Sequence, residues 1–244
     1  MKTPSLLCAI LIAGSSLTAF AADPAAIKPL GADGQPLNLD FETGTLKDWT
    51  ATGDAFNGQP VKCDVVAKRR PDMKSEHQGG YWIGTFEKAG ADKPQGTLTS
   101  VPFKITHPFA SFLVGGGSSD ATTVSLIVKI DGSERTVFRF SGTDTENLRR
   151  ASANLTPFVG QEMFIRLTDK SGNGWGHLNF DDFVFHAADP KFANPILPRK
   201  NDDAPPTPTD DVKFAGLSPE AAADRKSTRL NSSHSRRSRM PSSA

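Results

Sequence analysis

The chain has 244 residues, with 28 Lys and Arg against 27 Asp and Glu and a formal charge of +1. Two basic segments dominate that balance: without residues 1–21 and 224–244, 21 basic and 26 acidic side chains remain, a formal −5. A mildly acidic domain gives no electrostatic reason to expect DNA or RNA as partner, and nowhere does the sequence offer the ~20 consecutive apolar residues of a membrane-spanning helix.

In chain order, residues 1–21 read as an export signal: Lys2, an apolar run over 6–13, and the cleavage pattern Ala19-Phe20-Ala21. The expected mature protein is exported to the periplasm, the cell surface or the exterior. Of the two cysteines, Cys8 leaves with the signal. That leaves Cys63 without an intramolecular partner and reads it as a small apolar filler in the strand around Val61 to Val66. Residues 22–36 form a lead-in.

Residues 37–187 carry the rhythm of an all-β domain. Short β-branched and aromatic runs, at 37–42, 80–86, 96–105, 110–114, 122–130, 134–140, 162–168 and 177–185, are separated by Gly, Asp, Asn, Ser and Pro. Val124, Leu126, Val128 and Ile130 share one face of a period-two run, as do Met163, Ile165 and Leu167, which is the period of half-buried strands. Asp131-Gly132 between two such runs predicts a tight hairpin. The expectation is an antiparallel β-sandwich of jelly-roll, galactose-binding-domain-like type, in a monomeric module large enough for one core.

Beyond it, the Pro- and Asp-rich residues 188–213 read as an exposed linker. Residues 214–223 read as the start of a truncated next domain, with Ser218 and Pro219 in the N-cap and first positions of a helix. Residues 224–244, beginning Asp224-Arg225-Lys226-Ser227-Thr228-Arg229, resemble the conceptual translation of a sequencing adapter and are excluded from fold reasoning. The expectation is thus an amino-terminal piece of a longer protein.

No catalytic constellation stands out: G-x-S-x-G, H-E-x-x-H, Walker A and C-x-x-C-H are all missing from the sequence. The fragment therefore reads as a non-catalytic module rather than an enzyme. Two groups of residues carry possible binding chemistry. Asp40-Phe41-Glu42 near one end of the domain and Asp181-Asp182 near the other are hard oxygen ligands that suit Ca²⁺ if the terminal strands lie side by side, with Glu42, Asp181 and Asp182 as the ligand set. By alternation Asp181 shares a face with Phe183 and Phe185 and points inward. The second group is aromatic and polar. Trp175 and His177 lie in the Gly-rich stretch Ser171-Gly172-Asn173-Gly174-Trp175-Gly176-His177, and His77, Tyr81, Trp82 and Arg70 lie in or near a second stretch. A sugar ring stacks on an aromatic plate, and glycines allow close approach. Against that, Trp82 and Trp175 read as core aromatics ahead of ligand plates, the more so because only one of Tyr81 and Trp82 can face inward along a strand.

Taken in order, Phe41-Glu42-Thr43-Gly44, Leu46 through Trp49, Gly53-Asp54-Ala55-Phe56, Gly96-Thr97-Leu98-Thr99-Ser100, Phe112 through Gly117 and Gly174-Trp175-Gly176-His177-Leu178-Asn179-Phe180-Asp181-Asp182 resemble the β-sandwich module appended to levanase-type glycoside hydrolases and to large secreted cytochrome-like proteins. The resemblance implies a galactose-binding-like fold, a polysaccharide or glycan as partner, and structural calcium held by acidic residues near both termini, which map onto Glu42 and Asp181 or Asp182. The catalytic carboxylates of the hydrolases have no counterpart here. The stretch from Phe214 to Ala222 resembles the opening of the haem-containing, membrane-bound dehydrogenases, which implies haem only in a part of the parent that this sequence lacks. The alternative function is a structural spacer for such a dehydrogenase, with no sugar binding.

Overall fold

The computed structural model describes residues 26–199. The expectations for the signal, the adapter-like tail, the stub at 214–223 and most of the linker lie outside the described residues. Within them the chain forms twelve strands: β1 (Ala26–Ile27), β2 (Trp49–Gly53), β3 (Val61–Lys62), β4 (Tyr81–Gly84), β5 (Gly96–Ser100), β6 (Phe103–Lys104), β7 (Phe109–Gly116), β8 (Thr122–Ile130), β9 (Ser133–Phe140), β10 (Thr145–Asn154), β11 (Glu162–Asp169) and β12 (Leu178–His186). A five-residue helix, α1 (Thr85–Ala89), follows β4.

All strand pairings are antiparallel. One sheet runs β10-β7-β12-β4-β3 with β1 against β12; the other runs β2-β5-β11-β8-β9 with β6 against β11. The two sheets make the β-sandwich that the period-two runs predict. Val124, Leu126 and Val128 face Leu167, Ile165 and Met163 across the β8–β11 ladder, and all six are buried. Aromatic rings fill the space between the sheets: Phe112 lies 5.0 Å from Phe140 edge-on, 5.9 Å from Phe183 in a stack, and 5.7 Å from Phe180. Each such side chain contributes about 1.5–3 kcal/mol by leaving water. The Asp131-Gly132 hairpin is present, with both residues at positive φ (50° and 76°) as a type I′ turn requires.

Several segments depart from the expectation. Residues 37–42 are turns rather than a strand, although Leu37, Leu39 and Phe41 are buried in the core. Phe41 sits at φ 58°, which breaks an extended run. β10 has no strong β-former pattern: its Arg149-Arg150-Ala151-Ser152-Ala153 is drawn into the sheet by its pairing with β7 and not by propensity. Cys63 is exposed and at φ 58°, just past β3, instead of filling a strand.

A second apolar cluster lies outside the sandwich interior. Val61, Val66, Trp82, Leu113 and Leu148 are buried together beneath the loop of residues 63–80. Trp82 belongs to this cluster, while its neighbour Ile83 joins the main core.

The linker reading needs revision at its start. Ile196 is 7% exposed and joins the main core. Its N–H donates to Arg150 O at 2.7 Å beside a parallel bridge to Ala151, and Arg199 N–H donates to Arg139 O at 2.7 Å. Residues 196–199 thus cross from β10, an edge of one sheet, to β9, an edge of the other. An exposed edge with unpaired backbone groups is unfavourable, and the buried Ile196 together with these backbone bonds anchors a Pro-containing segment over it.

Candidate functional site

The Gly-rich stretch before β12 is held by backbone close approach. A Cβ on Gly117 would fall 1.9 Å from Trp175 O, and one on Gly176 would fall 2.5 Å from Asn173 O. Gly116 adopts φ 83° with its α-carbon facing His177 O. The triple glycine at 115–117 therefore ends β7 and also seats the loop that carries Trp175. Trp175 itself is at φ 59° and half-buried, its ring 5.5 Å from the His177 ring and 5.7 Å from the Arg70 guanidinium. Of the six expected ligand residues, the structure brings these three together.

Beneath the indole lies a buried ionic network. His177 Nδ1 is 2.7 Å from Asp92 Oδ1, and its Nε2 is 3.3 Å from Glu146 Oε2. Arg69 reaches Glu146 Oε1 at 2.9 Å and pairs with Glu87, while its guanidinium rests 4.1 Å from the Phe86 ring centre. Asn179 Nδ2 donates to Glu146 Oε2 at 3.2 Å. Burial works against the imidazolium, but Glu146 first and Asp92 next outweigh it and raise the His177 pKa. Burial likewise opposes the Glu146 carboxylate, yet His177 and Arg69 bring its pKa down to about 2. Two facing carboxylates make both ring nitrogens donors, so the protonated imidazole is the form this geometry favours.

Nearby, Asp169 at the end of β11 is 1% exposed and accepts from Thr85 Oγ at 2.6 Å. Burial pushes its pKa up to about 6, the Thr85 hydroxyl offsetting only part of the cost. Asp92 comes from a loop, Glu87 from α1, Glu146 from β10 and Asp169 from β11. None has a local sequence signal, whereas Arg69, a hydrogen-bonding group beside Arg70, and Asn179, in the stretch that leads to Asp181 and Asp182, belong to segments that sequence reasoning selects.

The remaining expected ligand residues lie elsewhere. Trp82 is fully buried in the second cluster, its Nε1 donating to Cys63 O at 3.1 Å, and His77 stacks on it at 5.8 Å. Tyr81 is half-buried against the main core, its ring close over Gly44 and 5.9 Å from Lys62 Nζ. A stacking plate needs a free face, which the buried Trp82 does not have.

The acidic ends do approach each other, as Phe183 N–H donates to Leu39 O at 3.4 Å and the rings of Phe41 and Phe180 are 6.1 Å apart. The side chains are directed otherwise than alternation predicts. A bulge between Asp181 and Val184 sets an extra residue into β12 and changes its phase. Phe183 and Phe185 consequently face the interior, whereas Asp181 lies opposite Leu113, on the side of the second cluster. Asp181 accepts from Gln78 N–H at 2.8 Å and Asp182 N–H at 2.7 Å, and burial, helped by the charges of Asp182 and Glu42, pushes its pKa well above the usual carboxylate range. Glu42 accepts from the N–H groups of Gly80 and Tyr81 at 2.9–3.0 Å, and Asp182 pairs with Arg150. The three carboxylates are thus committed to amide and guanidinium donors. Among the described residues no three His, Cys, Asp or Glu side chains converge to hold a metal ion, so this arrangement does not fit a calcium ion as it stands.

No protein-family profile matches the chain. It is 31% identical over 144 residues, 59% of its length, to the "Putative glycosyl hydrolase ecdE" of Aspergillus rugulosus, and that match spans 19% of the relative's length. Among solved structures it is similar to the carbohydrate-binding module TmCBM61 in complex with β-1,4-galactotriose (22% identity, 61% of this chain and 95% of that one, TM-score 0.41). It is also similar to the K2 cleaved adhesin domain of Lys-gingipain (12% identity, 60% and 94%, TM-score 0.41).

Proposed function

We propose that this domain is a carbohydrate-binding module that recognises a neutral glycan at the Trp175 loop and serves a larger exported protein. The observation that carries the reading is the Trp175 cluster itself: a half-buried indole on a glycine-tethered loop, with Arg70 and His177 against it and a buried network fixing its base. An aromatic plate bordered by a few fixed polar groups is the usual composition of a sugar site. The match to part of a protein named as a glycosyl hydrolase supports a sugar-related role. Non-catalytic binding is favoured because the best-placed carboxylate, Glu146, is 1% exposed and committed to His177, Arg69 and Asn179, which leaves it no access to a glycosidic oxygen.

The test is affinity electrophoresis of the full chain through gels containing galactan, arabinoxylan or β-glucan. Retardation on one of them, reversed by Trp175→Ala with an unchanged melting profile, is the expected result. A chain that migrates unretarded in every gel would sink the binding reading and leave the spacer. Export through residues 1–21 belongs to the same proposal and is checked by amino-terminal sequencing of secreted material. Calcium is tested by comparing thermal melts in EDTA and in excess Ca²⁺. A rise of several degrees with Ca²⁺ would mean that Glu42, Asp181 and Asp182 rearrange around an ion. Haem enters this reading only as a group of a further part of the parent protein, and the residues resembling the dehydrogenases lie outside the described ones. No helix among the described residues is long and apolar enough to cross a membrane.

A further inference from the structure

We infer a second binding site, for a carboxylate-bearing sugar residue, in the groove between the β9–β10 loop and the segment of residues 195–199. The groove has a volume of about 230 Å³ and is lined by Ser141, Gly142, Thr143, Arg149, Pro195, Ile196, Leu197 and Arg199. It shares no residue with the Trp175 cluster.

Its two cations differ in what they have left to offer. Arg199 is spent on its surroundings: its Nε faces Asp120 at 2.7 Å, and its Nη1 donates to Ser118 O and Ser141 Oγ. It builds the wall. Arg149 donates one N–H to Asn194 O at 3.0 Å, and no carboxylate among the described residues pairs with it. A guanidinium has five N–H donors in a rigid fork, so Arg149, which lines the groove, has donors beyond the Asn194 bond. No acidic residue lines the groove to compete for it.

The other walls select the rest of the ligand. Pro195 and Leu197, the latter 74% exposed, offer apolar surface to a ring face. Thr143 and Ser141 line the same groove with hydroxyls. Sites that engulf larger ligands run from roughly 300 to 1,000 Å³, so this groove accommodates a single ring with its substituent. A planar carboxylate matches the guanidinium fork in a bidentate pair, which favours a uronate-type residue over a neutral hexose.

The experiment is isothermal titration of the full chain, at low salt, with trigalacturonate, neutral galactotriose and sulfated galactotriose. Trigalacturonate is expected to bind at least tenfold more tightly than the neutral trisaccharide. Arg149→Gln and, independently, Leu197→Asp are each expected to abolish that preference, while Arg135→Gln on β9 preserves it. Matching thermal melts for the variants show that the loss is not unfolding. Equal binding of the charged and neutral sugars, or a preference that survives Arg149→Gln, overturns the site. Tighter binding of the sulfated sugar overturns the carboxylate assignment. Because the neutral-glycan reading depends on Trp175 alone, Trp175→Ala separates its failure from that of the groove.

Discussion

Gly117 and Trp175 approach so closely that any β-carbon on the glycine would lie 1.9 Å from the tryptophan carbonyl oxygen. The end of β7 is thereby the seat of the loop that holds the proposed sugar plate. Gly117→Ala is expected to displace that loop, reducing Trp175-dependent retention on a glycan gel by at least tenfold. Unchanged retention in a folded Gly117→Ala protein would show that the loop's position does not matter for binding.

The Arg69–Glu146 pair ties the covering loop to β10. Replacing one partner of a buried pair leaves the other charge uncompensated, at a cost of about 3–5 kcal/mol. Glu146→Ala, at a fully buried position, is expected to fall in that range by urea denaturation. Arg69→Ala, with a side chain 28% exposed, should cost less, about 2 kcal/mol.

The same network sets a pH dependence. The Glu146 pKa is lowered to about 2 from its ordinary 4.5, so its stabilisation is complete above 4.5 and is lost as pH falls towards 2. His177 has the opposite sign: with its pKa raised from 6.5, its contribution is complete below 6.5 and is lost as pH rises through the folded value. Urea melts should therefore show stability falling on both sides of a weakly acidic optimum. His177→Asn should remove only the His177 share of the alkaline limb, leaving the decline that the raised pKa values of Asp169 and Asp181 contribute in the same direction.

Asp169 is a buried acid whose pKa rises from 3.8 to about 6, so the folded state binds more protons than the unfolded one between those values. Stability from this group falls as pH increases from 3.8 through 6. Asp169→Asn keeps an acceptor for Thr85 and is expected to stabilise the protein at pH 7 by roughly 1–3 kcal/mol, on the basis of ~1.4 kcal/mol per pH unit. The gain should vanish near pH 3. An Asn variant less stable than the parent at neutral pH would show that the ionised carboxylate is needed.

Ile196 anchors the segment that closes the side of the sandwich. Ile196→Ala is expected to cost about 2–4 kcal/mol, as for other buried aliphatic truncations. A change within 0.5 kcal/mol, typical of an exposed site, would restore the linker reading at this residue.

The sandwich was legible because alternation is a local property. A strand buried on one face must repeat its apolar residues every second position, as Val124 through Val128 and Met163 through Leu167 do, and Asp-Gly supplies the positive φ values of the hairpin. The stretch at 37–42 shows the limit: Leu37, Leu39 and Phe41 alternate with Asn38, Asp40 and Glu42 as in a strand, yet they are buried from irregular backbone and turns that alternation alone does not distinguish from a strand. β10 shows the converse, a strand made by its neighbour.

What the amino-acid sequence determined by itself was the class of fold and the Gly-rich composition of the Trp175 loop, both written in residues adjacent along the chain. Only the tertiary structure decided which charges meet. Asp92, Glu146 and His177 are distant in sequence, a single bulge in β12 turned Asp181 away from the sandwich interior, and Ile196 joined a core whose other members end at Phe185. The physical reason is that apolar burial follows a periodic local pattern. The partner of a buried charge is selected by desolvation across the whole fold, and no spacing in the chain records it.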